Sequence, residues 1–590
     1  MCGIAGLQTV NGAPPEAHVL DGLTAAIAHR GPDGQGRFVA PGLGVVQTRL
    51  AIIDLATGDQ PLFGPNETAL VANGEIYNYI ELRREFAVEK FNTQSDCEVP
   101  LHTYQRSGSA FASQLRGMYA VALTDPAKGT VELARDPFGI KPLYYAATPR
   151  GVVFASEPEA ILRSKLVERE IRPEAASELL QLQFTTGRKT IFSGIDRVLP
   201  GETITLHGGK VLERRITTAL PDAEPRDITE DEALLELERV LMDSVSVHQR
   251  SDVPYGMFLS GGVDSSALIA CMARLNDRPV RAFTAWFPGT DAHDEREHAS
   301  KVARAVGAEH IEVSVTENDF WKSLPAIVAA VDDPTADYAI VPTYLLAQEA
   351  AKELKVVLSG EGGDELFAGY GRYRTALRPR VLGGRKMRRR GVMHNMGILR
   401  GKDEHWRDGI AKAEKLADRR HWTRLQRMQF VDCADWLPND LLLKLDRCLM
   451  AHGLEGRTPF LDPVVADMAF RLPDHLKISG ETGKYLLRKW LEKALPEAQA
   501  FSKKRGFTVP IGEWIQNRAE KLAPLVARSE GIKQVCNPEE VLHVFRSFAR
   551  APDKREAMAC WHLLFYALWH RVHGEGRQAE GSVMDILGTP

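Results

Sequence analysis

The chain has 590 residues, 44% hydrophobic and 26% charged, an ordinary globular composition with length for more than one domain. Its formal net charge of −4 gives no global drive toward nucleic acid or an anionic membrane. No apolar run is long enough for a membrane span and no basic segment leads into an apolar one, so no secretion signal is read; seven widely spaced cysteines without a C-x-x-C pair argue against zinc or a disulfide framework and for a reducing, cytoplasmic setting.

The N-terminus reads "MCGIAGL". The small side chain at position 2 permits removal of Met1, after which Cys2 carries its own α-amino group. From there to about residue 210, glycine-punctuated apolar runs predict strands: "LGVVQTRLAII", "TALVANGEIY", "GMYAVALTD", "TVELARD" and "GVVFAS". Residues 211–229, "VLERRITTALPDAEPRDIT", are polar, proline-bearing and aperiodic, and are read as a linker. The pattern then changes. "DEALLELERVLMDSVSVHQR" has helical spacing, "YGMFLS" is a short apolar run, and "SALIACMARL" is a helix. "RAFTAWF" and "EHIEVSV" are of strand type around the helical "REHASKVARAVG", and "YLLAQEAAKEL" precedes the strand "KVVLS". Such alternation predicts a parallel sheet covered by helices, with residues past about 370 mainly helical.

Two loops of the second half carry chemistry. "LSGGVDSSAL" (259–268) sits where a strand ends and a helix begins. Ser260, Gly261 and Gly262 let backbone amides approach an anion, Ser265 lies in the first helical turn, and the helix N-terminus adds a favourable dipole. Asp264 suits a magnesium ion shared with phosphate oxygens. A capped turn is the bland alternative, outweighed by the full S-G-G-x-D-S-S after an apolar strand. The loop is not the lysine-bearing Walker type. "LSGEGGDELFAGY" (358–370) also follows a strand and sets Glu361, Asp364 and Glu365 between glycines. At the carboxyl ends of parallel strands, Asp364 can join Asp264 on magnesium and Glu361 can face the reacting group. The basic "RPRVLGGRKMRRRG" (378–391) invites a nucleic-acid reading; short and without an aromatic array, it is read as a solvated loop or helix face.

S-G-G-x-D-S-S resembles the pyrophosphate loop of ATP pyrophosphatases. With "SGEGGDE" and "LEGRTPFLD" (454–462), the second half looks like the synthetase domain of glutamine-hydrolysing asparagine synthetases. "MCGIAG", "HRGPD" (29–33), "RLAIIDL" (49–55), "NGEIYN" (73–78), "SDCE" (95–98) and "RDPFGIKPLYY" (135–145) resemble a class II glutamine amidotransferase domain. The resemblance covers most of the chain to about 515, and the last 75 residues add little to it. It implies an α/β two-domain fold: an N-terminal-nucleophile αββα sandwich over 2–210, a linker over 211–229, and a doubly wound parallel-sheet ATP pyrophosphatase domain with extra helices over 230–590.

The same resemblance implies the site residues. Cys2 is the nucleophile, with its α-amine as local base, since a free amine titrates near pH 8. The Asn73 side chain and Gly74 amide form the oxyanion hole. Arg49 pairs with the glutamine α-carboxylate, and Asn73, Glu75 and Asp96 complete the glutamine site. Leu259 and Ala285 line the adenine pocket, Ser359 and Gly360 contact the nucleotide, and Lys484 in "GKYLLRKWL" lies near the phosphates and the adenylate. ATP and Mg2+ are the implied cofactors; glutamine, aspartate and ATP the substrates; a homodimer the assembly. The basic residues of "SKKRGF" (502–507) receive no role.

The expected reaction is adenylation of aspartate and its amidation by ammonia from glutamine. The alternative is a related amidotransferase acting on another carboxylate, a cell-wall or polysaccharide precursor. A non-catalytic scaffold is opposed by intact Cys2, Asp264 and Glu361. The acceptor question rests on "VDDPTADYAIVPTYLLA" (331–347), which departs from the T-T-I-R-A-S form of one branch of the family. No arginine occurs between Trp321 and Lys355. Either the α-carboxylate of aspartate meets a cation from elsewhere, Lys484 or a residue of 502–507, or the acceptor is not free aspartate.

Overall fold

The computed structural model describes residues 2–588 apart from 87, 291, 293, 380, 382, 401–404 and 503–507. All of "SKKRGF" after Ser502, and two positions of the basic stretch, therefore lie outside the described residues.

The first half contains β1 (Gly3–Thr9), β2 (Gly34–Ala40), β3 (Leu43–Arg49), β4 (Leu62–Phe63), β5 (Ala69–Ile76), β6 (Gly117–Asp125), β7 (Thr130–Arg135), β8 (Tyr144–Thr148), β9 (Gly151–Ala155), β10 (Asp196–Arg197), β11 (Glu202–His207) and β12 (Lys210–Ile216). They form two six-stranded sheets, ordered β10-β8-β9-β1-β3-β2 and β12-β11-β7-β6-β5-β4, with antiparallel ladders throughout. Alternation along the strands builds the layers. Ile4, Val45, Val71, Ala120, Leu133 and Phe154 meet between the sheets. Ala5, Leu7, Val46 and Val153 face the other way, onto helices Ala17–Ala26, Pro158–Arg163 and Pro173–Leu182. Leu70, Ala72, Tyr119 and Val121 of the second sheet pack on helices Tyr79–Glu85 and Val99–Ser107. The result is the expected αββα sandwich.

The linker expected over 211–229 starts later, because β12 extends the second sheet by pairing with β11 through Glu202↔Ile216. As an edge strand it leaves Leu212 and Ile216 exposed and is otherwise polar, so the alternation that announces a strand is missing. The chain then crosses to helix Glu230–His248, opened by a capping box of Thr229 and Glu232.

The second half is built on five parallel strands, β13 (Tyr255–Phe258), β14 (Arg281–Trp286), β15 (Glu309–Ser314), β16 (Val356–Leu358) and β17 (Glu455–Arg457), ordered β15-β14-β13-β16-β17. The order runs outward from β13 in both directions. The connections therefore leave on opposite sides, and a crevice opens at the carboxyl ends of β13 and β16. Both glycine-rich loops lie there.

The last residues do more than expected. Helices Ala519–Arg528, Pro538–Arg550 and Lys554–Trp569 share a core with helix Glu317–Ala330. Trp561 Nε1 donates to the Ala336 carbonyl (2.7 Å) and Trp569 Nε1 to that of Val331 (2.8 Å), pinning the 331–347 segment. The solvated reading of the basic stretch also fails at Arg388, which lies 3.9 Å over the Trp436 ring and pairs with buried Asp432. No helix among the described residues is long and apolar enough to cross a membrane. All seven cysteines are buried and unbridged.

Candidate active sites

The first site forms where β1 begins. Cys2 is buried, and its backbone nitrogen donates to Asn73 Oδ1 at 3.1 Å. Asn73 stands on β5 opposite Ala120, fully buried, and its Nδ2 meets no acceptor. A buried amide donor without an acceptor, on the residue that receives the Cys2 backbone amide, is what a developing oxyanion satisfies. Gly74 has φ +145°, and a Cβ there would lie 2.0 Å from the Met118 carbonyl oxygen, so only glycine lets β5 run this close to β6. Glu75 and Asp96 are buried side by side. Burial raises both carboxyls, Asp96 to about 6, and the charge of Asp96 adds to burial in raising Glu75. Paired buried carboxyls of this kind suit an ammonium group. Asp96 Oδ2 accepts from the Ile76 amide at 2.7 Å. Arg49, ending β3, directs its fork to Asp59 Oδ1 (2.7 Å) and the Asp54 carbonyl (2.5 Å). Burial pushes the Cys2 thiol above its ordinary pKa, so the thiol needs a base at hand.

The second site lies in the crevice of the parallel sheet. A cavity of about 660 Å³ is lined by Ser260, Gly261, Gly262, Asp264, Asp364 and Lys484. A smaller one of about 290 Å³ adjoins it, with Leu259, Ala285, Ser359, Gly360, Ser265 and Glu361 in its wall. Gly261 has φ +70°, and helix Val263–Leu275 starts directly behind the loop. Ser260 Oγ and Ser265 Oγ lie 3.1 Å apart, tying the loop to the helix. Lys484, buried at φ +56° ahead of helix Tyr485–Ala494, contacts Asp264 Oδ2 and Asp364 Oδ1, the latter at 2.7 Å. The two glycine-rich loops thus bring both carboxylates to one ammonium. Two carboxylates converging beside an anion loop are a donor set that fits Mg2+, whose remaining ligands are water and phosphate oxygens.

Three residues at the two sites escaped the sequence reading. Lys444, on helix Leu442–Met450, lies 3.9 Å from Glu361 Oε1 and 2.8 Å from Asp337 Oδ2. Burial works against its ammonium, yet Asp337 and Glu361 hold its pKa above the usual lysine value. Gln183, from the first half, lines the larger cavity and donates to Asp440 Oδ2 at 2.7 Å. Arg457, at the end of β17, is fully buried, 2.6 Å from Glu455 Oε1 and 3.3 Å from Glu75 Oε2, so the parallel sheet reaches the first site. The available signal was the run "LLLKLDRCLM", where charges sit inside an otherwise apolar helix. In the acceptor segment, Asp332 and Asp333 bind Arg447 and Arg197, and Asp337 faces the cavity.

Residues 1–216 match the family model of a glutamine amidotransferase domain and residues 236–571 that of asparagine synthase. The chain is 34% identical to asparagine synthetase [glutamine-hydrolyzing] 1 of Bacillus subtilis, over 98% of each chain. It is 36% identical to a putative asparagine synthetase [glutamine-hydrolyzing] of Mycobacterium tuberculosis, over 100% of this chain and 99% of that one. Asparagine synthetase B of Escherichia coli is 30% identical over 86% of this chain and 81% of its own.

Proposed function

The chain belongs to the glutamine-hydrolysing asparagine synthetase family, and from that premise we infer that it amidates aspartate to asparagine with ATP, taking its nitrogen from glutamine. In the first site the Cys2 thiol adds to the glutamine side-chain amide carbon. The Cys2 α-amine, free once Met1 is removed, takes the thiol proton and returns it to the leaving ammonia. Asn73 Nδ2 and the Gly74 amide hold the oxyanion, while Arg49 and the Glu75–Asp96 pair hold the two ends of the α-amino acid. Water then releases glutamate.

In the second site Leu259 and Ala285 flank the adenine, and the 260–265 loop cradles the phosphates. Asp264 and Asp364 would hold Mg2+, which when bound neutralises triphosphate charge. Lys484 stabilises the charge that builds as the β-carboxylate of aspartate displaces pyrophosphate. Glu361 faces the acyl-adenylate, where it takes a proton from the attacking ammonia as AMP leaves. What carries this reading is one observation: a single chain holds the backbone of Cys2 against buried Asn73, whose amide donor lacks an acceptor, and, at the switch point of a parallel sheet, brings two carboxylates to one lysine.

The test is aspartate-dependent pyrophosphate release by the purified protein with Mg-ATP and glutamine. Cys2→Ala should abolish glutamine-driven turnover and leave ammonium-driven turnover, and the mass of the native protein should lack Met1. Glutamine hydrolysis surviving in the variant would remove Cys2 from its role. Asp264→Asn should cut pyrophosphate release by about 100-fold or more, the scale of losing a charge partner in a transition state.

A further inference from the structure

Aspartate carries two charges at its α-carbon in addition to the carboxylate that reacts, and a buried site must answer both. The acceptor segment has no arginine to do so, and Lys484 stands between Asp264 and Asp364. Lys444 is a buried cation in the wall of the smaller cavity, beside Glu361 and Asp364. Its partner Asp337 lines the larger cavity beside Lys484 and Asp364. Their 2.8 Å ion pair thus stands between the two spaces that hold the phosphate-site residues.

The pair is rigidly mounted. The Ala339 amide donates to Asp337 Oδ1 at 2.9 Å, which leaves Oδ2 directed at Lys444. The Ala336 amide donates to the Gln183 carbonyl at 2.7 Å, and its carbonyl accepts from Trp561. An isolated buried ion pair seldom repays the desolvation of its two ions through stability alone. At the edge of a reaction cavity it is a template for a zwitterion.

We propose that Lys444 and Asp337 are the acceptor's α-carbon recognition pair, Lys444 receiving the α-carboxylate and Asp337 the α-ammonium. An α-amino acid then inserts its two opposite charges into an existing ion pair with no change in net charge. A dicarboxylate or an amine-only acceptor leaves one buried charge unanswered. This rests on the reading that a carboxylate is adenylated in these cavities, and it restricts the acceptor class to free α-amino acids with a second carboxylate.

The experiment measures pyrophosphate release with Mg-ATP and ammonium chloride, which bypasses the first site. The acceptors are aspartate, 3-aminopropanoate (aspartate without its α-carboxylate) and succinate (aspartate without its amine). The native enzyme should prefer aspartate over both by about 100-fold or more in kcat/KM, as sites with buried polar groups do. Lys444→Met should raise KM for aspartate and shrink the preference over 3-aminopropanoate to within about tenfold. Asp337→Asn should shrink the preference over succinate and keep the other. Lys444→Arg, which retains the charge, should keep both. Glutamine hydrolysis by the same preparations reports whether each chain is folded, and each of the two neutral variants decides by itself if the other fails to fold. Preferences unchanged in a folded neutral variant overturn the proposal. If aspartate gives no turnover in the native protein while glutamine is hydrolysed, the asparagine reading itself fails and takes this assignment with it.

Discussion

Asp96 shows how a single buried side chain ties substrate recognition to pH. Burial lifts its pKa to about 6, against a free-chain value near 4. Because the folded value is the higher one, Asp96 favours the folded chain where it is protonated, and that contribution is lost as pH rises through 6. Recognition runs the other way. In the proposed glutamine site the α-ammonium pairs with the carboxylate, the form that Asp96 takes above 6. The kcat/KM for glutamine should therefore fall as pH drops through about 6. Asp96→Asn should lower kcat/KM by about 100-fold near neutrality and flatten that limb, while ammonium-driven synthesis keeps its own profile. An acidic limb that persists unchanged in the variant would assign it to another group.

At the scale of elements, catalysis depends on how closely strands approach. Gly74 holds β5 against β6 at a backbone angle open to glycine and closed to other residues without strain. Gly74→Ala must push its Cβ away from the Met118 carbonyl. It should cost about 2–3 kcal/mol in unfolding experiments and abolish glutamine hydrolysis, because Asn73 moves with the strand. An active, wild-type-stable variant would show that the strand pair tolerates the shift. The same elements explain what the sequence could disclose. Strands such as "GMYAVALTD" are buried on both faces and read as unbroken apolar runs, and the glycine loops 259–268 and 358–370 announce themselves because backbone must approach an anion. β12 stayed hidden because an edge strand facing water has no alternation to show. Lys444 stayed hidden because a lysine in a helix ordinarily points to solvent. Only tertiary packing sets it against Asp337 and Glu361, 107 residues from the first of these. Arg388 was misread for the same reason, its partners Trp436 and Asp432 lying far along the chain.

At the scale of the whole molecule, the two halves meet through buried charges. Arg30, fully buried, donates from Nε to the Cys2 carbonyl at 3.2 Å, from Nη1 and Nη2 to Asp446 at 2.9 and 3.0 Å, and to Glu157 at 2.7 Å. Arg447 closes the network onto Glu157 and Asp332. Asp446 and Arg447 share helix Leu442–Met450 with Lys444, so one helix lines the cavity at the second site and, through Arg30, reaches the backbone of Cys2. Removing one member leaves a buried charge without its partner, which costs about 3–5 kcal/mol. Asp446→Asn strips the fork of Arg30 of one of its two charged acceptors at the seam between the halves and leaves it Glu157 alone. Scanning calorimetry should show one cooperative transition for the native chain and two for the variant, the earlier one lowered by several degrees. Glutamine hydrolysis should fall as well, since the Cys2 carbonyl loses a fixed anchor. If the variant unfolds in one transition at the native temperature, the halves are joined by their apolar contacts and Arg30 serves Cys2 alone.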